Sequence, residues 1–216
     1  MYKAILFDLD GTLLDTSRDI NAVLNDALSH FGLAKISLSD TLRYVGNGAR
    51  ELVRRAIGVE NAGRLDEIND YYVAEFDKCD NERATIYEGE AHALRAFKDK
   101  GIKLGILSNK PQAAAEHVYE LFFKEYSFDF VQGQKEGFGL KPSPEGVYAA
   151  LSALKVKKEE CLFVGDGETD VKTAENAGVD GVSVLWGFRT KAQLEAAGAK
   201  RFVESFNELE KLVLCE

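Results

Sequence analysis

Four short apolar runs along the chain end abruptly in polar residues or glycine. They cover residues 4–7, 102–107, 161–164 and 181–185, and a segment with apolar residues at helical spacing follows each run. Such runs are typical of parallel strands that are buried on both faces of a sheet. The alternation of strand and helix therefore predicts an α/β fold built on a doubly wound, mainly parallel sheet.

Polar residues follow three of these predicted strands within two positions. Asp8 comes after the first strand, Ser108 after the second and Asp166 after the third. In doubly wound sheets, ligands bind in the crevice beyond the carboxyl ends of the strands. We therefore expect the three side chains to converge on one crevice.

The spacing of these residues predicts an inserted domain. Asp8 and Ser108 are 100 residues apart, whereas a simple crossover between parallel strands needs only about a dozen. Apolar residues in the extra stretch recur at helical spacing. The sequence thus predicts a helical cap at residues 15–83, inserted into a discontinuous core made of residues 1–14 and 84–216.

Composition limits the classes of partner. The net charge is −9, so the protein as a whole should repel nucleic acid rather than bind it. The three cysteines contain no C-x-x-C pair, which argues against a disulfide framework and a zinc site. The apolar run at the N-terminus is too short for a signal peptide or a membrane span. We expect a cytoplasmic protein with no membrane or nucleic-acid partner, either a monomer or a homodimer.

Two carboxylates follow the first strand at alternate positions. Asp8 and Asp10 should face one reaction centre, since alternate side chains of an extended segment point the same way. One carboxylate can attack phosphorus while the other protonates the leaving oxygen and later accepts a proton from water. Thr12 can hydrogen-bond to the loop or to a bound phosphate. The bland alternative is that acids at strand ends form turns.

Two further segments offer groups that can hold phosphate. Ser108 and Asn109 supply a hydroxyl and a backbone amide, although such a pair is also a common turn or helix cap. Lys141 precedes Pro142, which biases the lysine toward extended geometry. An ammonium fixed there can neutralise phosphate charge. The alternative for Lys141 is a solvated lysine before a capped helix.

The segment Gly165–Asp170 carries the acids expected of a metal site. Asp8, Asp166 and a substrate phosphate together match the oxygen ligands that Mg²⁺ prefers. Asp170 is either a further ligand or a support for the others. The sequence therefore predicts Mg²⁺ as the cofactor.

Together these motifs resemble the haloacid dehalogenase superfamily: D-x-D-x-T at residues 8–12, the Ser108 strand end, Lys141, and G-D-x-x-x-D at residues 165–170. Within it, residues 44–52 and 184–188 most resemble the phosphoglycolate phosphatase-like branch. The resemblance implies a Rossmann-like core with a helical cap, Asp8 as nucleophile and Asp10 as acid/base. It also implies that Ser108 and Lys141 bind phosphate, and that Asp8, the Asp10 carbonyl and Asp166 hold Mg²⁺.

The leading hypothesis is a Mg²⁺-dependent phosphatase that hydrolyses a small phosphate monoester, either phosphoglycolate-like or a sugar phosphate, through a phospho-aspartyl intermediate on Asp8. A phosphosugar mutase or a pyrophosphatase with the same core is the alternative, followed by a dehalogenase and by a non-catalytic phosphate-binding protein. Arg43, Asn47 and Arg50 are candidate substrate contacts from the cap, since arginine pairs with carboxylates. The alternative is that this basic helical face is simply solvated.

Overall fold

The computed structural model of the protein describes residues 1–135 and 137–215. Its strands are β1 (Ala4–Phe7), β2 (Leu14–Asp15), β3 (Thr85–Ile86), β4 (Lys103–Pro111), β5 (Phe130–Gln134), β6 (Cys161–Gly165), β7 (Asp180–Val184) and β8 (Phe202–Val203). Six of them form a sheet in the order β5-β4-β1-β6-β7-β8, in which every neighbouring pair is parallel. This arrangement confirms the predicted α/β fold.

The first strand lies at the centre of the sheet because it is apolar on both faces. All four of its residues are buried, and the strand pairs with β4 on one side and β6 on the other. Ile5 and Phe7 belong to one hydrophobic cluster, whereas Ala4 and Leu6 belong to another on the opposite face. A continuous apolar run therefore marks the strand that both layers of helices cover.

The helices are α1 (Ser17–His30), α2 (Leu38–Tyr44), α3 (Ala49–Ile57), α4 (Leu65–Phe76), α5 (Glu90–Asp99), α6 (Gln112–Val118), α7 (Glu145–Leu154), α8 (Glu168–Ala177), α9 (Lys191–Ala197) and α10 (Phe206–Leu214). Helices α5, α6 and α10 contribute buried residues to the cluster on one face of the sheet. Helices α7 and α8 contribute to the cluster on the other face. The sheet is thus covered on both sides.

Helices α1 to α4 form a separate layer with its own hydrophobic cluster. Leu24 of α1, Val53 of α3 and Ile68 of α4 are fully buried there. The chain enters and leaves this layer through the short antiparallel ribbon of β2 and β3, where Leu14 pairs with Ile86. The predicted cap boundaries at residues 15 and 83 lie beside this ribbon.

The structure differs from the predicted strands in β4, which continues to Pro111 instead of ending at Leu107. A register shift follows Leu107, and Pro111 then pairs with Gln134 of β5. Asn109 and Lys110 are buried in this extension. The prediction ended the strand too early because these residues are polar. The predicted runs also leave out strands β2, β3, β5 and β8. Among the described residues, no helix combines the length and the apolar character needed to cross a bilayer.

Candidate active site

The crevice lies between the carboxyl end of the sheet and the helical cap. Asp8 follows β1, Ser108 and Asn109 lie near the end of β4, and Asp166 follows β6. These four residues and Lys141 all line one cavity. The structure therefore brings Lys141 together with the residues that the sequence assigned to separate strand ends.

Lys141 joins two of the acids. Its Nζ lies 2.7 Å from Asp8 Oδ1 and 2.6 Å from Asp170 Oδ1, and its side chain is 3% exposed. Burial favours the neutral amine, but the charges of Asp170 and Asp8 outweigh burial and raise the pKa of Lys141 above its usual value. The lysine is therefore a fixed cation that offsets part of the negative charge of the site.

Three carboxylates form a cluster that can hold a metal ion. Asp8, Asp166 and Asp170 each offer an oxygen, and these oxygens lie within 4.8 Å of one another. Burial, with a contribution from neighbouring acids, raises the pKa of Asp8 to about 7 and that of Asp166 to about 8. Acids crowded in this way are stabilised by a hard divalent cation, which prefers oxygen ligands.

Asp166 is held in place by two loops, the one that follows β1 and the one that follows β7. Its Oδ2 accepts a hydrogen bond from the Phe188 amide at 2.6 Å, and its Oδ1 accepts one from the Thr12 hydroxyl at 3.3 Å. A Cβ atom on Gly11 would lie 2.4 Å from Asp166 Oδ2, and Gly11 has a φ of +89°. Only glycine fits there without displacing Asp166. The fully buried Thr12 hydroxyl thus contacts the acid cluster in this conformation.

Asp10 is oriented by two donors that hold the same oxygen. Asp10 Oδ1 accepts hydrogen bonds from Thr16 Oγ1 at 2.6 Å and from Lys110 Nζ at 2.8 Å. Lys110 also lies 4.4 Å above the Phe76 ring of the cap, and its side chain is 2% exposed. Because both donors hold Oδ1, Oδ2 is the oxygen left for a reacting group. The sequence reasoning missed Lys110, although its position directly after Ser108 and Asn109 was a usable signal.

Ser108 and Asn109 have different surroundings. Ser108 lines the cavity, and its hydroxyl accepts a hydrogen bond from the Lys110 amide at 3.2 Å. The Asn109 side chain accepts from the Lys141 amide at 2.8 Å and donates to the Lys141 and Gly46 carbonyls at 3.0 Å each. The Asn109 side chain therefore fixes the backbone of Lys141 and connects it to the cap.

The cap covers the cavity with apolar side chains. Ile20, Leu52, Tyr72 and Phe76 line it opposite the carboxylates. Burial raises the pKa of Tyr72 above its usual value, so the phenol stays protonated. The cavity contains about 60 Å³ of free space. The cap thus gives the site an apolar wall.

The three cap residues expected to contact substrate lie elsewhere. Arg43 pairs with Asp40, Arg50 pairs with Asp66, and the Asn47 side chain accepts a hydrogen bond from Arg55. The side chains of Arg43 and Arg50 are 66% and 57% exposed. The structure brings none of the three to the cavity, so a contact with substrate would require the cap to move.

Arg189 lines the cavity instead, although the sequence reasoning did not select it. Its side chain is 8% exposed, and its Nε lies 2.8 Å from Glu168 Oε2. The residue follows the last predicted strand, in the same kind of position as the other residues of the site. That placement beyond a strand end was the signal that could have identified it.

The fold and the site together define a class of protein. Its members have an α/β core with a parallel sheet beneath a helical cap, and a lysine and a cluster of carboxylates lie at the carboxyl edge of that sheet. The family model of haloacid dehalogenase-like hydrolases matches residues 5–184. This chain belongs to that family, which confirms the resemblance inferred from the motifs.

Known relatives agree with this assignment. The chain is 33% identical over 218 residues to the phosphoglycolate phosphatase of Rhodospirillum rubrum, covering 97% of this chain and 90% of that protein. It is 31% identical over 190 residues to the phosphoglycolate phosphatase of Aquifex aeolicus, covering 86% of each. A crystal structure of a provisionally assigned phosphoglycolate phosphatase from Lactobacillus delbrueckii subsp. bulgaricus matches with a TM-score of 0.89 and 30% identity, covering 100% of this chain and 99% of that one.

Proposed function

We propose that this protein is a Mg²⁺-dependent phosphatase that hydrolyses a small phosphate monoester through an aspartyl phosphate on Asp8. One observation carries the proposal: the Lys141 ammonium lies 2.7 Å from Asp8, which also belongs to the carboxylate cluster with Asp166 and Asp170. A phosphate bound beside that cluster would meet a nucleophile, a fixed cation and metal-binding acids at one point.

In the first half-reaction, an Asp8 carboxylate oxygen attacks phosphorus and the ester P–O bond breaks. The leaving oxygen takes a proton from Asp10, whose Oδ1 is held by Thr16 and Lys110 and whose Oδ2 remains for the transfer. The products are the free alcohol and an acyl phosphate on Asp8. Lys141, held by Asp8 and Asp170, stabilises the charge that builds up on the phosphoryl oxygens.

In the second half-reaction, water attacks the phosphorus of the acyl phosphate and Asp10 takes a proton from it. The P–O bond to Asp8 breaks, which releases inorganic phosphate and restores the carboxylate. The apolar side chains on the cap side of the cavity reduce the access of bulk water to the acyl phosphate. Ser108 and the Asn109 amide supply donors for the phosphate oxygens.

Mg²⁺ fits the donor set because hard cations prefer carboxylate and carbonyl oxygens. Asp8, Asp166 and the Asp10 carbonyl would hold it, with Asp170 as a ligand or a support. When bound, the ion neutralises the crowded acids and the phosphate charge.

The three cysteines are free, which supports our inference that the enzyme works in the reducing cytoplasm.

Phosphoglycolate is the first candidate substrate. The relatives that carry that name support it, and so does the Lys110 ammonium, which lies 2.8 Å from Asp10. A substrate whose ester oxygen approaches Asp10 can bring a carboxylate on the adjacent carbon within reach of Lys110.

The test is a Mg²⁺-supplemented screen of phosphorylated metabolites, measured as release of inorganic phosphate. The panel includes phosphoglycolate, hexose phosphates, pyrophosphate and a haloacid, with Asp8→Asn as the inactive control. We expect the highest kcat/KM on phosphoglycolate and none on the haloacid. Pyrophosphate as the best substrate, or conversion of a hexose phosphate to its isomer, would favour the alternative activities. Phosphate binding without turnover of any ester would contradict the proposal.

A further inference from the structure

One buried arginine connects the core to the cap. Arg189, on the loop after β7, donates from Nη1 to the Leu42 carbonyl and from Nη2 to the Val45 carbonyl, each at 2.6 Å. Its Nε donates to Glu168 at 2.8 Å. All three nitrogens of the guanidinium are therefore used, two by the cap and one by the core.

Two other core residues contact the same cap segment, residues 42–48. Asn109 Nδ2 donates to the Gly46 carbonyl at 3.0 Å, and Thr169 Oγ1 lies 3.5 Å from the same oxygen. This segment joins α2 to α3 and contributes Val45, Gly46 and Gly48 to the wall of the cavity. Every one of these contacts is to a backbone carbonyl. The sequence of the segment therefore gave no sign of them.

The burial of Arg189 has a physical reason. An unpaired guanidinium would be costly to bury, but Glu168 balances its charge and two carbonyls satisfy its remaining donors. The planar fork of arginine suits two neighbouring acceptors, whereas the single ammonium of lysine does not. The neighbouring residue, Phe188, donates its amide to Asp166. The loop that holds the cap segment therefore also holds one acid of the site.

We propose that Arg189 is a positioning residue that keeps cap segment 42–48 closed over Asp8 during the reaction. It touches neither the nucleophile nor the acid/base in this structure, and it acts by fixing the wall that encloses them. The kinetic part of this inference rests on the proposed phosphatase activity. The structural part concerns only the contact between cap and core.

The structural part is tested by hydrogen exchange, without any substrate. Amide exchange is compared in the wild type, Arg189→Met, Arg189→Lys and the control Arg95→Met, which removes an exposed arginine paired with Glu125 on the core. We expect exchange in segment 42–48 to become about tenfold faster in Arg189→Met, with an intermediate change in Arg189→Lys. Exchange in β1 and β6, and exchange in Arg95→Met, should match the wild type.

The kinetic part uses two substrates of different size. If the segment opens, the site is exposed to water and admits bulkier esters. Arg189→Met should therefore lose more kcat/KM on phosphoglycolate, the small candidate substrate, than on p-nitrophenyl phosphate. We expect the kcat/KM on the small substrate, divided by the kcat/KM on p-nitrophenyl phosphate, to fall about tenfold. A tenfold change corresponds to the loss of one charged hydrogen bond. Arg189→Lys should recover part of the ratio. A protein that was only destabilised would lose both activities in proportion.

The outcomes separate the two hypotheses. Unchanged exchange in segment 42–48 of Arg189→Met, or an unchanged substrate ratio in an active enzyme, would overturn the positioning role. Faster exchange confined to that segment together with a lower ratio supports it. If the wild type hydrolyses no ester, the phosphatase proposal fails, while the exchange experiment still decides whether Arg189 holds the cap.

Discussion

The catalytic edge of the core and the helical cap use charged residues in opposite ways. At the core edge, Lys141 and Asp170 are each 3% exposed and lie 2.6 Å apart. On the cap, Arg50 and Asp66 also pair, but their side chains are 57% and 80% exposed. Water screens the pair on the cap, whereas almost none reaches the pair in the core.

This difference teaches which charges have a function. A buried ion pair is costly to desolvate and is no general source of stability, so a cluster of buried acids around one lysine indicates a site rather than a structural device. Exposed pairs on a helix stabilise by only about 0–1 kcal/mol. The cap meets the site with apolar side chains such as Phe76 and with backbone carbonyls.

The largest expected effect is at the nucleophile. Replacing Asp8 by Asn removes the attacking carboxylate while it keeps the size of the side chain, so kcat should fall by roughly three orders of magnitude or more. Steady-state phosphate release measures it. Asp99→Asn, an exposed acid at the end of α5, is the matched control and should retain full activity. Appreciable turnover by Asp8→Asn would contradict the contrast between core and cap, because the buried acids of the core would then not carry out the reaction.

Removal of the metal comes next. Chelation should abolish turnover, and Mg²⁺ at about a hundred times its Kd should add about 2.7 kcal/mol to the free energy of unfolding. Thermal unfolding with and without Mg²⁺ measures this stabilisation. Asp166→Asn should lose most of it because the acid cluster loses one ligand oxygen, while Asp99→Asn should keep it. A Mg²⁺-induced shift that survives in Asp166→Asn would place the ion elsewhere.

Glu90 sharpens the contrast because it is a buried core acid that no partner compensates. It is 0% exposed, and neither carboxylate oxygen has a hydrogen-bond partner among the described residues. Burial raises its pKa to about 8. The unfolded chain ionises near the ordinary value of about 4.3, so the wild type loses stability as the pH rises from there through about 8.

Glu90→Leu should therefore raise the free energy of unfolding at both pH values, because it removes a buried polar group, and by about 4 kcal/mol more at pH 8 than at pH 4. Urea unfolding across that pH range measures the difference. Glu90→Gln removes the charge but keeps a buried polar group, so its gain should be smaller. The exposed neighbour Glu88→Gln is the control and should follow the wild type at every pH. A gap that does not grow with pH would mean that Glu90 is hydrated in solution.

Much of the core could be predicted because its strands are short apolar runs that end in polar residues. Asp8, Ser108 and Asp166 were found in this way. The extension of β4 was not, because Asn109 and Lys110 look like loop residues until their buried partners are known. The contact between Arg189 and the cap could not be predicted, because its partners are backbone carbonyls. Every residue has a backbone carbonyl, so the side-chain sequence does not mark these acceptors.

The smallest expected effect is on the cap surface, where the sequence pattern placed possible substrate contacts. Arg50→Ala removes an exposed ion pair with Asp66. The kcat/KM should therefore stay within about twofold of the wild-type value, and the midpoint of thermal unfolding should stay close to that of the wild type. The same kinetic assay serves, with Arg54→Ala as a second exposed cap arginine for comparison. A tenfold rise in KM for Arg50→Ala alone would mean that the cap rotates to bring this arginine to the substrate. The contrast between a charged core edge and an apolar cap wall would then describe only one of two working conformations.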